Sequence, residues 1–316
     1  MNARRGSQGR GGPSGGRGGN GRSSGGRPSG GRSAGGRSRS GPPRSRGAGR
    51  TGGVRRDGDD RPTKRRTLGG TQVEGRQAVR ELLLAQRRRV HEIWIVTDLE
   101  GDDAVADIVA LARANRVPIE YVARKRLDTA ARSEAPQGVL ARAAEIPEAE
   151  LGHLLRRRPG HVPFLVAVDQ VTDPGNFGAI LRSCEGAGVD GVVVPRHRAV
   201  HVTPTVAKAA AGAVEYLPIA VVPGLPAALA RMREQGIWVV GLDDASDLTL
   251  FDLDRLADDA VCLVLGAEGA GLSRLVSERC DMVVSIPMLG KVSSLNVSAA
   301  AALAAYEVRR HRVADR

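Results

Sequence analysis

Near the C-terminus, "MLGKVSSLNVSAAAALAAYEVRR" (288–310) runs Ser293, Ser294, Asn296 and Ser298 straight into alanines. Short polar side chains in that position cap a helix by accepting from its first backbone N–H groups. The same groups donate and accept at short range, which suits holding a ligand hydroxyl. Two other loops raise a comparable choice. "VLGAEGAGLS" (264–273) sets Glu268 between glycines, where backbone without side chains approaches a ligand closely; an acid there equally suits a helix start. "DQVTDPGNFGAILRSCEGAG" (169–188) carries the turn Asp173-Pro174-Gly175, then Asn176, placed to cap the helix that follows, and Arg182 within that helix. Taken alone, Arg182 reads as an ordinary solvated or salt-bridged helix residue.

Several chemistries are excluded by what surrounds these residues. No histidine stands in a relay with Ser294, so it is a positioner and not a nucleophile. The glycine loop at 264–273 lacks the Gly-Lys-Ser/Thr ending of a triphosphate-binding loop. Gly186, Gly188 and Gly191 spell a dinucleotide fingerprint, but a helix precedes them and a strand follows, the reverse of what pyrophosphate binding requires. They read as a helix end and turn. Six scattered His and three Cys form no metal-ligand cluster. Cys184, Cys262 and Cys280 are odd in number and lack CxxC spacing, which fits free thiols in a reducing cytoplasm.

Charge divides the chain. Residues 1–70 hold 18 Lys/Arg against 3 Asp, a net +15 within a total of +12, so residues 71–316 carry a net −3. The Arg/Gly/Ser-rich tail has almost no apolar residue and is expected to be disordered. Its arginines suit salt-sensitive contact with nucleic-acid phosphates; the alternative is a solubilising extension without a dedicated partner. No apolar run is long enough to span a bilayer, and the N-terminal region lacks the apolar core of a secretory signal, so no membrane partner is expected.

The elements that would position the loops follow from hydrophobic pattern. "TQVEGRQAVRELLLAQRRR" reads as a helix with Val79, Leu82, Leu83 and Leu84 toward one side. The strand "VHEIWIVTD", the helix "DAVADIVALARANR" and the strands "PIEYVA" and "QGVLARAAEI" complete a small α/β unit over residues 71–146. Arg87, Arg88 and Arg89 and the "ARKR" run at 123–126 are candidate phosphate contacts or solvated loop charge. A linker at 147–163 leads to a second unit, 164–316. There the apolar strands "FLVAVD", "GVVVP", "LPIAVV", "IWVVGLD", "VCLVLG" and "MVVSIP" alternate with helical segments. Continuous apolar strands between helices imply a parallel sheet covered on both faces. Ligands bind beyond the carboxyl ends of such strands, so the loops after Asp169, Leu265 and Ile286 are the ones that matter.

Taken together, "DQVTDPGNFGAILRSCEGAGV", "VLGAEGAGLS" and "SIPMLGKVSSLNVSAAAALAAYE" closely resemble the three ordered motifs of the SPOUT-class, TrmH-type RNA 2′-O-ribose methyltransferases. "VEGRQAVRELL" and "APQGVLA" are similar to segments of that family's small RNA substrate-binding domain. The combination looks most like the branch that methylates a guanosine of 23S rRNA. The resemblance implies a parallel sheet whose C-terminal segment is threaded into a deep trefoil knot, a rare exception to topology rules. It also implies S-adenosyl-L-methionine as methyl donor, a homodimer built through the knotted region, and RNA as substrate with no DNA partner. By motif position, Gly266, Ile286 and Leu295 match cofactor-holding residues. Asn176, Arg182, Glu268, Ser294 and Asn296 match the polar active-site set. The rivals are a tRNA 2′-O-methyltransferase and, from another class, a non-catalytic RNA-binding ribosome assembly factor.

Overall fold

The computed structural model describes residues 67–197, 201–244, 246–256 and 258–314. The expected disordered tail lies outside the described residues, apart from its last few positions.

The first part of the chain forms β1 (Gln72–Glu74), α1 (Arg76–Ala85), β2 (Val90–Val96), α2 (Asp103–Ala114), β3 (Ile119–Val122), α3 (Arg124–Ala130) and β4 (Val139–Ala143). Their sheet runs β1-β4-β2-β3, with β4 antiparallel to both neighbours and β2 parallel to β3. Val79, Leu82 and Leu83 of α1 are buried against it, whereas Leu84 is exposed. Two expectations are corrected here. The helix expected from Thr71 begins only at Arg76, because Gly75 at φ 94° turns the chain between strand and helix, a conformation open to glycine. The "ARKR" run is not loop charge but the start of α3, where Arg124 pairs with Asp98 and Arg126 with Glu120.

The second part contains α4 (Leu151–Leu154), β5 (Phe164–Val168), α5 (Pro174–Gly186), β6 (Gly191–Pro195), α6 (Pro204–Ala209), β7 (Ile219–Val222), α7 (Leu225–Glu234), β8 (Trp238–Leu242), β9 (Val261–Leu265), α8 (Arg274–Ser277), β10 (Met282–Val284) and α9 (Val297–Ala314). The six strands are all parallel in the order β10-β8-β9-β5-β6-β7. β5 shows why its sequence is apolar throughout: Phe164, Val166 and Val168 face a core shared with α5 and α9, and Leu165 and Ala167 face one shared with α7. A strand buried on both sides has no polar face to display.

Sheet order fixes where a ligand can sit. From β5 the chain leaves through α5 toward β6; from the neighbouring β9 it leaves through α8 toward β10, on the other side. Adjacent strands with divergent connections open a crevice at their carboxyl ends. The first turn of α5, just after β5, carries Asn176, and the loop after β9 carries Glu268.

Two cross-sheet contacts tie the parts together. Arg88 and Glu215, both buried, are joined by two hydrogen bonds of 2.8 and 2.6 Å. Arg87 donates to the carbonyls of Glu215 and Tyr216. Arg88 does not fit its expected role as phosphate contact or solvated charge, because burial and the Glu215 pair occupy its guanidinium, whereas Arg87 remains exposed. At the other end, Arg312 in the last turn of α9 donates to the carbonyls of Val162, Pro163 and Asp259.

Candidate active site

Each polar residue reaches the crevice through its own local device. Pro174 occupies the first turn of α5, and Asp173, not Asn176, caps the helix, its carboxylate accepting from the Asn176 N–H at 2.7 Å. That corrects the expected cap and leaves the Asn176 side chain free to reach outward. Glu268 is no helix-start acid either. It lies in a tight loop closed by mutual Ala267–Gly271 backbone bonds of 3.0 Å, several residues before α8. Asn296 immediately precedes α9, and its Oδ1 accepts from the Ser298 N–H and hydroxyl at 2.8 and 2.6 Å. The cap reading of this stretch is therefore realised through Oδ1, while the Nδ2 end of the same amide turns to Glu268 and Asn176.

The three side chains meet. Glu268 Oε1 accepts from Asn176 Nδ2 at 2.9 Å and from Asn296 Nδ2 at 2.7 Å, and Asn296 Nδ2 also lies 3.0 Å from Asn176 Oδ1. The carboxylate is solvent-exposed, and its Oε2 takes no hydrogen bond among the described residues. An acceptor held in place by two amides and open on one oxygen can receive a ligand hydroxyl.

Behind the triad lies a cavity of about 420 Å³ at the carboxyl ends of β8, β9 and β10, within the usual range for small-molecule sites. Gly266, Ile286, Leu295, Ser294, Glu268 and Asn296 all line it. Gly266 is indispensable: a Cβ there would fall 2.3 Å from the Gly271 carbonyl carbon and 2.6 Å from the Leu272 nitrogen. The loop is fastened from below, as Asp169 accepts from the Ser273 N–H at 2.9 Å and Asp243 from the Leu272 N–H at 3.3 Å.

Arg182 is not brought to the triad. It is exposed on α5, six residues beyond Asn176 and outside the cavity lining, a separation of about 9 Å along the axis and a third of a turn around it. Sequence reasoning also missed Asp243 and Asp244, which border the cavity after β8. Their signal was present in "IWVVGLDD", an apolar strand whose carboxyl end is doubly acidic. The three free thiols take no part: burial pushes Cys184 and Cys280 up to about 12 and raises Cys262 as well. Among the described residues there is no His/Cys/Asp/Glu group suited to a metal, and no helix is long and apolar enough to cross a membrane.

The comparisons with known proteins converge on one class, RNA 2′-O-ribose methyltransferases. Residues 163–306 match the SpoU rRNA Methylase family, and residues 72–149 match the RNA 2′-O ribose methyltransferase substrate binding family. The chain is 40% identical over 243 residues to the 23S rRNA (guanosine-2′-O-)-methyltransferase RlmB of Shewanella oneidensis, covering 76% of this chain and 97% of that protein. The RlmB of Pseudomonas aeruginosa is 40% identical over 245 residues, covering 76% and 96%. Among solved structures, the SpoU methyltransferase AviRb from Streptomyces viridochromogenes in complex with the cofactor AdoMet superposes with a TM-score of 0.63 at 29% identity, covering 77% of this chain and 90% of that one. The chain belongs to the SpoU rRNA methylase family and is an S-adenosylmethionine-dependent RNA 2′-O-ribose methyltransferase. The cavity fits that donor, offering apolar walls at Ile286, Leu295 and Val284 for an aromatic ring and a side-chain-free backbone at Gly266 for close polar contact.

Proposed function

We propose that the cavity binds S-adenosylmethionine and that the triad at its mouth receives the 2′-hydroxyl of a guanosine in 23S rRNA. The observation that carries this is Glu268, anchored through Oε1 by Asn176 and Asn296 and open at Oε2. The bound donor supplies an electrophilic methyl group. Gly266, Ile286 and Leu295 hold it, and Ser294 on the same rim orients what lies beside it. Glu268 Oε2 accepts the hydrogen bond of the 2′-hydroxyl and fixes its oxygen for in-line attack, an orienting effect of several kcal/mol, roughly 7–11 at the upper end. Arg182 has only donors and stays charged. It grips a phosphate beside the target, and that phosphate, with water, takes the hydroxyl proton.

The choice of 23S rRNA and guanosine is supported by the two RlmB relatives. The two domains are taken as 71–146 and 164–316, joined by 147–163; this is supported by a core over Val73–Ala143 distinct from those of the six-stranded sheet, which also take in Ile146 and Leu155. The C-terminal segment is proposed to be threaded as a trefoil knot: after edge strand β10 the chain returns past the 266–271 loop and packs α9 on α5. A homodimer through this region is supported by Leu303 and Tyr306, apolar residues of α9 that are 47% and 52% exposed. The compartment proposed is the cytoplasm, and the Arg/Gly-rich tail adds phosphate contacts to the RNA.

Mapping ribose methylation in RNA from cells with and without the protein tests the assignment. Loss of one 2′-O-methylguanosine in 23S rRNA is expected; loss in tRNA instead would redirect the substrate. Purified protein that binds no S-adenosylmethionine would revive the assembly-factor reading.

A further inference from the structure

Loop 131–138, "ARSEAPQG", holds Ala135 and Gln137 at φ 49° and 59°. Left-handed backbone at non-glycine residues persists only where the surroundings over-determine it, and it clusters at ligand clamps. The main determinant is Glu74, fully buried in β1. Its carboxylate accepts from the Arg132 N–H at 2.8 Å, the Ser133 N–H at 2.9 Å and Gln72 Nε2 at 2.6 Å, and also from the Ser133 hydroxyl. A second anchor joins both domains. Gln137 accepts from Arg76 twice, at Oε1 from the backbone N–H (3.0 Å) and at its carbonyl from Nε (3.3 Å), and Lys208 of α6 donates to the Glu134 carbonyl. Gly75 permits this closeness, since a Cβ there would stand 3.2 Å from Gln137 Oε1 and 3.6 Å from Lys208 Cγ.

The result is a rigid edge whose positive charge is not neutralised. Arg76, Arg132 and Lys208 join no ion pair among the described residues, nor do Arg87, Arg89, Arg113 and Arg116, but only the first three converge on the loop that Glu74 holds. The edge is also near the methyl-transfer site. α6 packs tightly on α5, where a Cβ at Gly178 would fall 2.5 Å from the Ala209 Cβ. Ala209 follows Lys208, and Gly178 follows Asn176 by two residues, so Lys208 lies about one helix spacing, roughly 8–10 Å, from the helix that carries Asn176.

We propose that Arg76, Arg132, Gln137 and Lys208 form a clamp for the phosphate–ribose backbone of the RNA strand flanking the target nucleotide, with Glu74 as its positioning residue. The guanidinium and ammonium groups meet phosphates. Gln137, its Oε1 occupied by Arg76, presents Nε2 as a donor to phosphate or ribose oxygen. This inference rests on the RNA methyltransferase reading and specifies how the substrate is held.

The test measures affinity of the full chain for protein-free, transcribed 23S rRNA against KCl concentration. It compares wild type, Arg132→Ala and the triple variant Arg76→Ala/Arg132→Ala/Lys208→Ala. Each lost phosphate contact lowers the magnitude of the log–log salt slope by about 0.7–0.9, and the triple variant by roughly 2–3. S-adenosylmethionine affinity stays at the wild-type value. Glu74→Gln raises KM for RNA with kcat retained. Wild-type methylation together with an unchanged slope in the triple variant overturns the clamp alone. Absence of methyl transfer by the wild type overturns the underlying reading and the clamp with it. If the triple variant does not fold, Arg132→Ala still decides, because the Arg132 side chain is exposed and joins no ion pair among the described residues.

Discussion

Glu215 and Glu268 are both carboxylates held by hydrogen bonds, in opposite circumstances. Glu215 is 4% exposed, and a single guanidinium takes both of its oxygens. Glu268 stands in solvent, with one oxygen shared by two amides and the other open. A saturated, buried carboxylate has no capacity left for a ligand, so its loss is felt by the fold. A half-satisfied, accessible one contributes little to the fold and keeps an acceptor for chemistry. The same contrast separates Glu74, which takes four donors to shape a loop, from the triad at the cavity mouth.

The largest expected effect breaks the framework side of this contrast. Glu215→Ala leaves the Arg88 guanidinium buried and uncompensated, at a cost of about 3–5 kcal/mol in denaturant unfolding. The double variant Arg88→Met/Glu215→Leu recovers most of it, since apolar groups of similar volume can replace a buried pair. A loss below about 1 kcal/mol for Glu215→Ala would mean the pair does not hold the domains. Arg182→Ala should abolish methylation with unfolding unchanged; an Arg182→Lys enzyme with most of its activity would remove the argument for a guanidinium on phosphate. Glu268→Gln should lower kcat about 10–100-fold, roughly 1.4–2.7 kcal/mol of barrier, while stability shifts by no more than about 0.5 kcal/mol. Full turnover at saturating RNA would reduce Glu268 to a turn residue.

Smaller effects sharpen the outer parts of the account. Removal of residues 1–66 should weaken RNA binding and its salt dependence without moving the methylated site; unchanged binding at low salt would deny the tail its role. The buried thiols give the weakest signal. Their folded pKa values, about 12 for Cys184 and Cys280, lie above the ordinary thiol value. The native state therefore binds more protons than the unfolded chain once pH exceeds that ordinary value. Stability is complete below about pH 9 and declines toward pH 12. Cys184→Ala should flatten part of that decline in urea titrations at pH 7 and pH 10.

The six parallel strands were legible because each is written as one apolar run, as burial on both faces requires of the inner strands β5 and β9. The three loops were legible as punctuation after such runs, and Asn176, Glu268 and Asn296 as polar residues in them. Their grouping came from the family resemblance and not from pattern or spacing, since 120 residues separate Asn176 from Asn296 and sheet order brings them together. Arg88 was misread for a similar reason: a basic triplet looks solvated until a carboxylate 127 residues away proves to be its partner. Composition counts charges but not pairs. The cap on α5 went to Asp173 because Pro174 fixes the first turn three residues earlier than an Asn176 cap would require. β1 was absorbed into a helix because three residues ahead of Gly75 are too few to show a strand's alternation.

The most direct measurement supplies purified protein with S-adenosylmethionine labelled in its methyl group and protein-free 23S rRNA, then maps the label by nucleotide. Wild-type protein should place it on the ribose 2′-oxygen of a single guanosine, and folded Glu268→Gln protein should place far less at the same position. Label on a base, or none on RNA from a wild-type protein that binds the donor, would contradict the account.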